Sequence, residues 1–151
     1  MLRCRIPWVN LVSCGSHENT KARKVPAAMP HEFESLSRQV IGAAIDVHRA
    51  LGPGYPESTY GSAFKVALAH RSLRFEAERS ITVRFEGVDV GVGRIDFLIE
   101  NALVVELKAV ESLHSTHFAQ VRAYLKGSGQ RVGLLLNFNS PALTIRRVVY
   151  G

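Results

Sequence analysis

Apolar residues at Phe33, Leu36, Val40, Ala44, Val47 and Leu51 recur every three or four positions. That spacing predicts a helix over 33–51 with one buried face. Leu51-Gly52-Pro53-Gly54 ends it, because glycine supplies positive φ and proline removes a donor. A second helix is predicted from about Pro56, since proline suits the first helical position. Its inward face is Glu57, Tyr60, Phe64, Ala67 and Leu68. From Ile81 the period falls to two. Ile81, Val83 and Phe85 alternate with polar residues before Glu86-Gly87, and Val88, Val90 and Val92 lead into a stretch with Gly91 and Gly93. Arg94–Ile99 and Leu103–Lys108 read as a hairpin across Glu100-Asn101-Ala102. A third helix is predicted from Ser115 to Lys126, stopped by Gly127-Ser128-Gly129. Val132–Phe138 is a continuous apolar run, as in a strand covered on both faces. Thr144–Tyr150 predicts a last strand at an edge. The order αα-ββββ-α-ββ gives an α/β fold class, more closely an α+β mixed sheet flanked by helices.

Two of the strand-like runs carry charge where an apolar side chain is expected. Glu106 and Lys108 are two apart, so on a strand they share a face while Leu107 points to the other. A three-residue loop at 100–102 sets Asp96 opposite Glu106, with Cβ atoms about 4.5–5.5 Å apart. Two carboxylates so close repel unless a cation lies between them. Mg²⁺ or Mn²⁺, which takes hard oxygen ligands, suits such a pair, and Lys108 beside it can hold a water or stabilise a phosphoryl transition state. Asp96, Glu106 and Lys108 thus point to phosphodiester hydrolysis. The competing reading is a cross-strand ion pair on a solvated face. Glu57 is a further candidate ligand, although a helix dipole alone favours glutamate at that place. On the third helix His117, Gln120 and Tyr124 form one strip, while Phe118, Val121 and Leu125 form the core-facing one. Gln120 and Tyr124 can position Lys108 or a phosphate. His114 and His117 alone do not make a zinc site.

Composition changes the picture mainly at the N-terminus. The chain has 151 residues, which suggests one domain, and no stretch reaches the about 18–20 apolar residues of a membrane span. Its net charge of +6 is concentrated in residues 1–30, which contribute +4 through Arg3, Arg5, Lys21, Arg23 and Lys24 against Glu18. The mildly basic remainder gives little support for nucleic-acid binding by global charge. Both cysteines, Cys4 and Cys14, also lie there. A body without cysteine suits a reducing compartment, hence a cytoplasmic expectation. Leu11-Val12-Ser13-Cys14 has the form of a lipoprotein cleavage box, but the apolar stretch before it is short and interrupted by Pro7 and Asn10. Residues 1–28 are expected to be a disordered or misassigned extension, with Met29 an alternative start and 29–151 a single domain.

The motifs together resemble the GxxExxY proteins, over about residues 32–150. They are Gly54-Tyr-Pro-Glu57-Ser-Thr-Tyr60, Arg94-Ile-Asp96, Glu106-Leu-Lys108-Ala-Val-Glu111, His117-xx-Gln120-xxx-Tyr124 and Gly133-Leu-Leu-Leu-Asn-Phe-Asn139. That family is similar to the PD-(D/E)XK nuclease superfamily, particularly its RecB-like members with a restriction-endonuclease-like core. The resemblance implies Glu57, Asp96 and Glu106 as metal ligands with the main-chain carbonyl of Leu107. It implies Lys108 as the catalytic lysine, and Tyr60, His117, Gln120 and Tyr124 as supporting residues. It further implies a Mg²⁺- or Mn²⁺-dependent nuclease, with DNA favoured over RNA as the nucleic-acid partner. A small domain binds nucleic acid weakly by itself, so a homodimer or a protein partner is also expected. The alternative function is a non-catalytic nucleic-acid- or protein-binding domain that keeps the fold.

Overall fold

In the computed structural model, which describes residues 30–151, the elements follow the hydrophobic period with a few instructive exceptions. Helix α1 spans Pro30–Leu51 and α2 spans Glu57–His70. Strands β1 (Phe75–Phe85), β2 (Val88–Ile99) and β3 (Leu103–Lys108) follow, then helix α3 (Ser115–Ser128) and strands β4 (Val132–Asn137) and β5 (Thr144–Val149). The sheet runs β1-β2-β3-β4-β5, and only β3 and β4 are parallel, joined through α3. The mixed sheet flanked by helices is therefore present, with Thr144–Val149 at an edge as its pattern predicts. The expectations for residues 1–28 lie outside the described residues.

The sheet separates two cores. On one face α1 contributes Val40, Ala43, Ala44 and Val47, and α2 contributes Tyr60, Phe64 and Leu68. They pack on Phe97, Val105, Leu107, Leu134 and Leu136. On the other face Val121 and Leu125 of α3 cover Ile95, Leu98, Val104, Leu135 and Val148. β4 contributes to both cores, which is why its sequence is apolar at successive positions. Gly133 lets α3 sit close: a Cβ there would lie 2.9 Å from Val121 Cγ1.

Where the alternation predicts separate strands across the Gly91–Gly93 stretch, one strand runs through both. Gly91 pairs with Val83 and Gly93 with Ile81, so the glycines stay in the ladder. Gly93 does so because a side chain would meet Ile81 at 3.0 Å and the Tyr124 ring at 3.1 Å. β1 also begins at Phe75, six residues before Ile81, along a half-exposed charged stretch where the apolar alternation is faint. Gly127 lies inside α3 rather than stopping it, pressed against Ile81, and the left-handed cap is Gly129 at φ 72°.

Face alternation fails at one point, and that point carries the chemistry. Ile95 and Phe97 have the same parity yet enter opposite cores. So do Ala77 and Ile81 on the partner strand. Between them lies Glu78, whose φ of 55° is left-handed, and which stands across from Asp96 in the β1–β2 register. A left-handed residue inside a strand rotates the chain, so both ribbons swap faces there.

Candidate active site

The β2–β3 hairpin turns through Glu100-Asn101-Ala102, with Glu100 and Asn101 at φ 50° and 51°. Arg74 clamps Glu100, donating from its backbone N–H at 2.8 Å and from its guanidinium at 2.7 Å. This fixes the register Ile99↔Leu103, Leu98↔Val104 and Phe97↔Val105. The ladder stops there. One step further the same register brings Asp96 opposite Glu106. Instead of a ladder carbonyl, the Asp96 carboxylate accepts the Leu107 N–H at 2.8 Å. Asp96 thus lies in the seam where β2 leaves β3.

Glu106 is 2% exposed. Its Oε1 accepts from Lys108 Nζ at 2.7 Å. Its Oε2 is buried and finds no donor. A buried carboxylate oxygen in that state loses its hydration without replacement. Burial, then the neighbouring Asp96 charge, push Glu106 up to about 7, against the pull of Lys108. Asp96 is also raised by burial, opposed by the Leu107 N–H and by the charges of Lys108 and Arg94. Lys108 loses proton affinity through burial, but Glu106, Glu57 and Asp96 outweigh that and the net shift is upward.

Glu57 is the first residue of α2, after Pro56 in an extended conformation. It lines a cleft of about 330 Å³ with Asp96, Phe97 and Leu107. Burial raises its carboxyl, Lys108 opposes, Asp96 adds, and the Ala109 N–H opposes again. The position of α2 is fixed by Tyr60, whose hydroxyl donates to Gly52 O at 2.6 Å and whose ring stacks on Phe138 at 4.7 Å. The Tyr60 hydroxyl is thereby engaged with the α1–α2 connection, not with the carboxylates.

On α3, Gln120 Nε2 donates to the Tyr124 hydroxyl at 2.9 Å, and neither side chain hydrogen-bonds to Lys108 or the carboxylates. His117 Nδ1 accepts the His114 N–H at 3.0 Å, so a neutral His117 carries its proton on Nε2. Burial, Lys108 and His114 lower its proton affinity.

Three carboxylates gather here, with Lys108 hydrogen-bonded to Glu106 and the Arg94 charge bearing on Asp96. A divalent cation fits hard oxygen ligands of this kind, and the orphaned Glu106 Oε2 is the atom that most needs one. Among the described residues, no three His, Cys, Asp or Glu side chains form a ready-made metal cage. Lys108 and the Leu107 N–H each engage one carboxylate oxygen that a cation would otherwise share.

Two groups around the site were not legible as such. Lys65 and Arg94 line the same cleft as Glu57 and Asp96. Arg94 is visible in the sequence beside Asp96, but Lys65 reaches it only through the helix turn. Asn137 is 1% exposed and pairs with Lys108 across β3–β4. Its amide accepts the Val110 N–H at 3.0 Å and donates to Val110 O at 2.8 Å, holding the chain that leaves Lys108. A polar residue ending an apolar run is its signal.

No curated protein matches the sequence. The crystal structure of SSO0001 superposes with a TM-score of 0.51 at 18% identity, over 79% of this chain and 60% of that one. That is a likeness of fold, and the chain spans about three-fifths of the length of that structure. Among the described residues no helix is long and apolar enough to cross a membrane. The model of the PD-(D/E)XK nuclease superfamily matches residues 34–148, which takes in both cores, the kinked β1–β2 ribbon and every carboxylate of the cluster, and the chain belongs to that superfamily.

Proposed function

We propose that the protein is a divalent-cation-dependent nuclease that hydrolyses phosphodiester bonds, with DNA rather than RNA as substrate. The observation that carries this is Glu106: buried, proton-hungry at about 7, paired on one oxygen with Lys108 and orphaned on the other. Glu57, Asp96 and Glu106, with the main chain of Leu107, are the groups that would hold Mg²⁺ or Mn²⁺. Such an ion supplies Lewis acidity toward the phosphoryl group and lowers the pKa of a coordinated water. The protein's own part is positional and electrostatic. Lys108 is held by Glu106 with its remaining donors free to bind a phosphoryl oxygen or the attacking water. Asp96 is locked by the Leu107 N–H, so its second oxygen keeps a fixed direction. Gln120 and Tyr124, hydrogen-bonded to each other on α3, and His117, on which the Lys108 charge bears, would flank a bound phosphate on that side. The motif set supports reading the chain as a GxxExxY member of the superfamily, with a single domain over residues 29–151.

One observation favours a second reading, a non-catalytic nucleic-acid- or protein-binding domain. The Lys108–Glu106 and Leu107–Asp96 contacts already satisfy one oxygen of each acid, as a structural pair would. Incubation with single- and double-stranded DNA and RNA, in Mg²⁺, in Mn²⁺ and in EDTA, separates the two. The nuclease reading expects cleavage that EDTA abolishes and that Asp96→Ala loses together with metal affinity. Metal-independent binding without cleavage would favour the second.

A further inference from the structure

The cleft beside the carboxylate cluster has a second, cationic wall. Lys65 approaches it from α2 and Arg94 from β2, with the small residues Ser58, Gly61 and Ser62 between Glu57 and Lys65. Arg94 is close enough to Asp96 that its charge bears on that carboxyl. Its nearest acidic partner is Glu78, at 3.6 Å, with both side chains 65% exposed. An exposed pair of that length is weak and is easily exchanged for a better partner. A phosphate diester is such a partner, because it accepts two parallel N–H bonds from a guanidinium. Glu78 is also the left-handed residue that kinks β1, and non-glycine residues in that conformation concentrate at functional sites. Glu78 and Arg94 both line the cleft.

We infer that this cleft is a phosphate subsite next to the hydrolytic one, in which Lys65 and Arg94 hold the phosphate flanking the scissile bond and Glu78 retains Arg94 until the strand arrives. The inference rests on the nuclease reading and adds a binding register to it. The substrate strand runs from the carboxylate seam along α2, so cleavage requires at least one phosphate beyond the scissile one.

The test uses the full chain and DNA oligonucleotides in Mg²⁺, with KM, kcat and their dependence on KCl from about 50 to 200 mM. Lys65→Ala and Arg94→Ala should each raise KM about tenfold, with a smaller change in kcat. Each should also reduce the slope of log(1/KM) against log[salt] by about one. Arg94→Lys should restore the slope but only part of the affinity. Glu78→Gln should lower KM a few-fold. Arg38→Ala, an exposed charge on α1, should leave KM and slope unchanged. Lys65 and Arg94 variants that behave like Arg38→Ala, in a wild type that cleaves, overturn the subsite alone. In a wild type that binds but does not cleave, the nuclease reading fails, and Kd values and salt slopes unchanged in the Lys65 and Arg94 variants overturn the subsite as well; a wild type that neither cleaves nor binds any nucleic acid overturns both together.

Discussion

Glu106→Gln isolates the electrostatic state of the site without a substrate. The folded protein moves the Glu106 carboxyl from its ordinary 4.5 to about 7. A factor of ten in proton affinity is worth about 1.4 kcal/mol, so keeping Glu106 ionised opposes folding by about 3 kcal/mol. That is a large share of the about 5–15 kcal/mol that holds a domain folded. The sign follows from which state holds the proton more tightly. An acid raised in the folded state contributes stability below 4.5 and loses it as pH rises toward 7. Asp96 and Glu57, both raised by burial first, act in the same direction. Lys108, a base raised above 10.5, contributes a constant amount throughout this window. His117, lowered from 6.5, acts in the opposite direction at acid pH, but equally in both proteins. Urea midpoints at pH 5, 6, 7 and 8 in EDTA should therefore fall with pH more steeply in wild type than in Glu106→Gln. The stability difference between them should change by about 2.5 kcal/mol across the series, which begins just above the unfolded value of 4.5. Excess Mn²⁺ should restore wild-type stability at pH 8, by about 2.7 kcal/mol at a hundredfold excess over Kd, and should do less for the variant. Parallel pH curves for the two proteins in EDTA would refute the burial argument.

Lys108→Ala should lower cleavage by about 10²–10³, the loss typical of one transition-state charge stabiliser, while Mn²⁺ affinity by calorimetry holds or tightens because a nearby positive charge has gone. Equal activity in wild type and Lys108→Ala would end the proposed mechanism. Asn137→Ala removes two hydrogen bonds to Val110 and leaves that backbone unsatisfied, so urea unfolding should show a loss of about 2–4 kcal/mol. Gly133→Ala puts a Cβ 2.9 Å from Val121 Cγ1 and should destabilise by about 1–3 kcal/mol, read as a lower melting temperature.

The sequence by itself determined the helices, the hairpin and the paired acids, because these depend on local period and turn length. The loop at 100–102 has three residues, so the strand register that sets Asp96 opposite Glu106 was already written in the chain. The mixed sheet followed from element order, since β3 and β4 are separated by a helix and so pair in parallel. Strand breaks were misplaced at Gly91–Gly93 because glycine reads as punctuation. There it answers instead to Ile81 and Tyr124, which arrive from another strand and another helix. What only the tertiary structure decided is how the acids meet. Period-two alternation assumes an unbroken strand, and the left-handed Glu78 breaks it where Asp96 sits. The proton affinity of Glu106 was likewise invisible, because it comes from the burial of one carboxylate beside Asp96, with a second oxygen that has no donor. Lys65 and Arg94 come to line one cleft for the same reason. Contacts between elements distant in sequence depend on packing, and packing leaves no period in the chain.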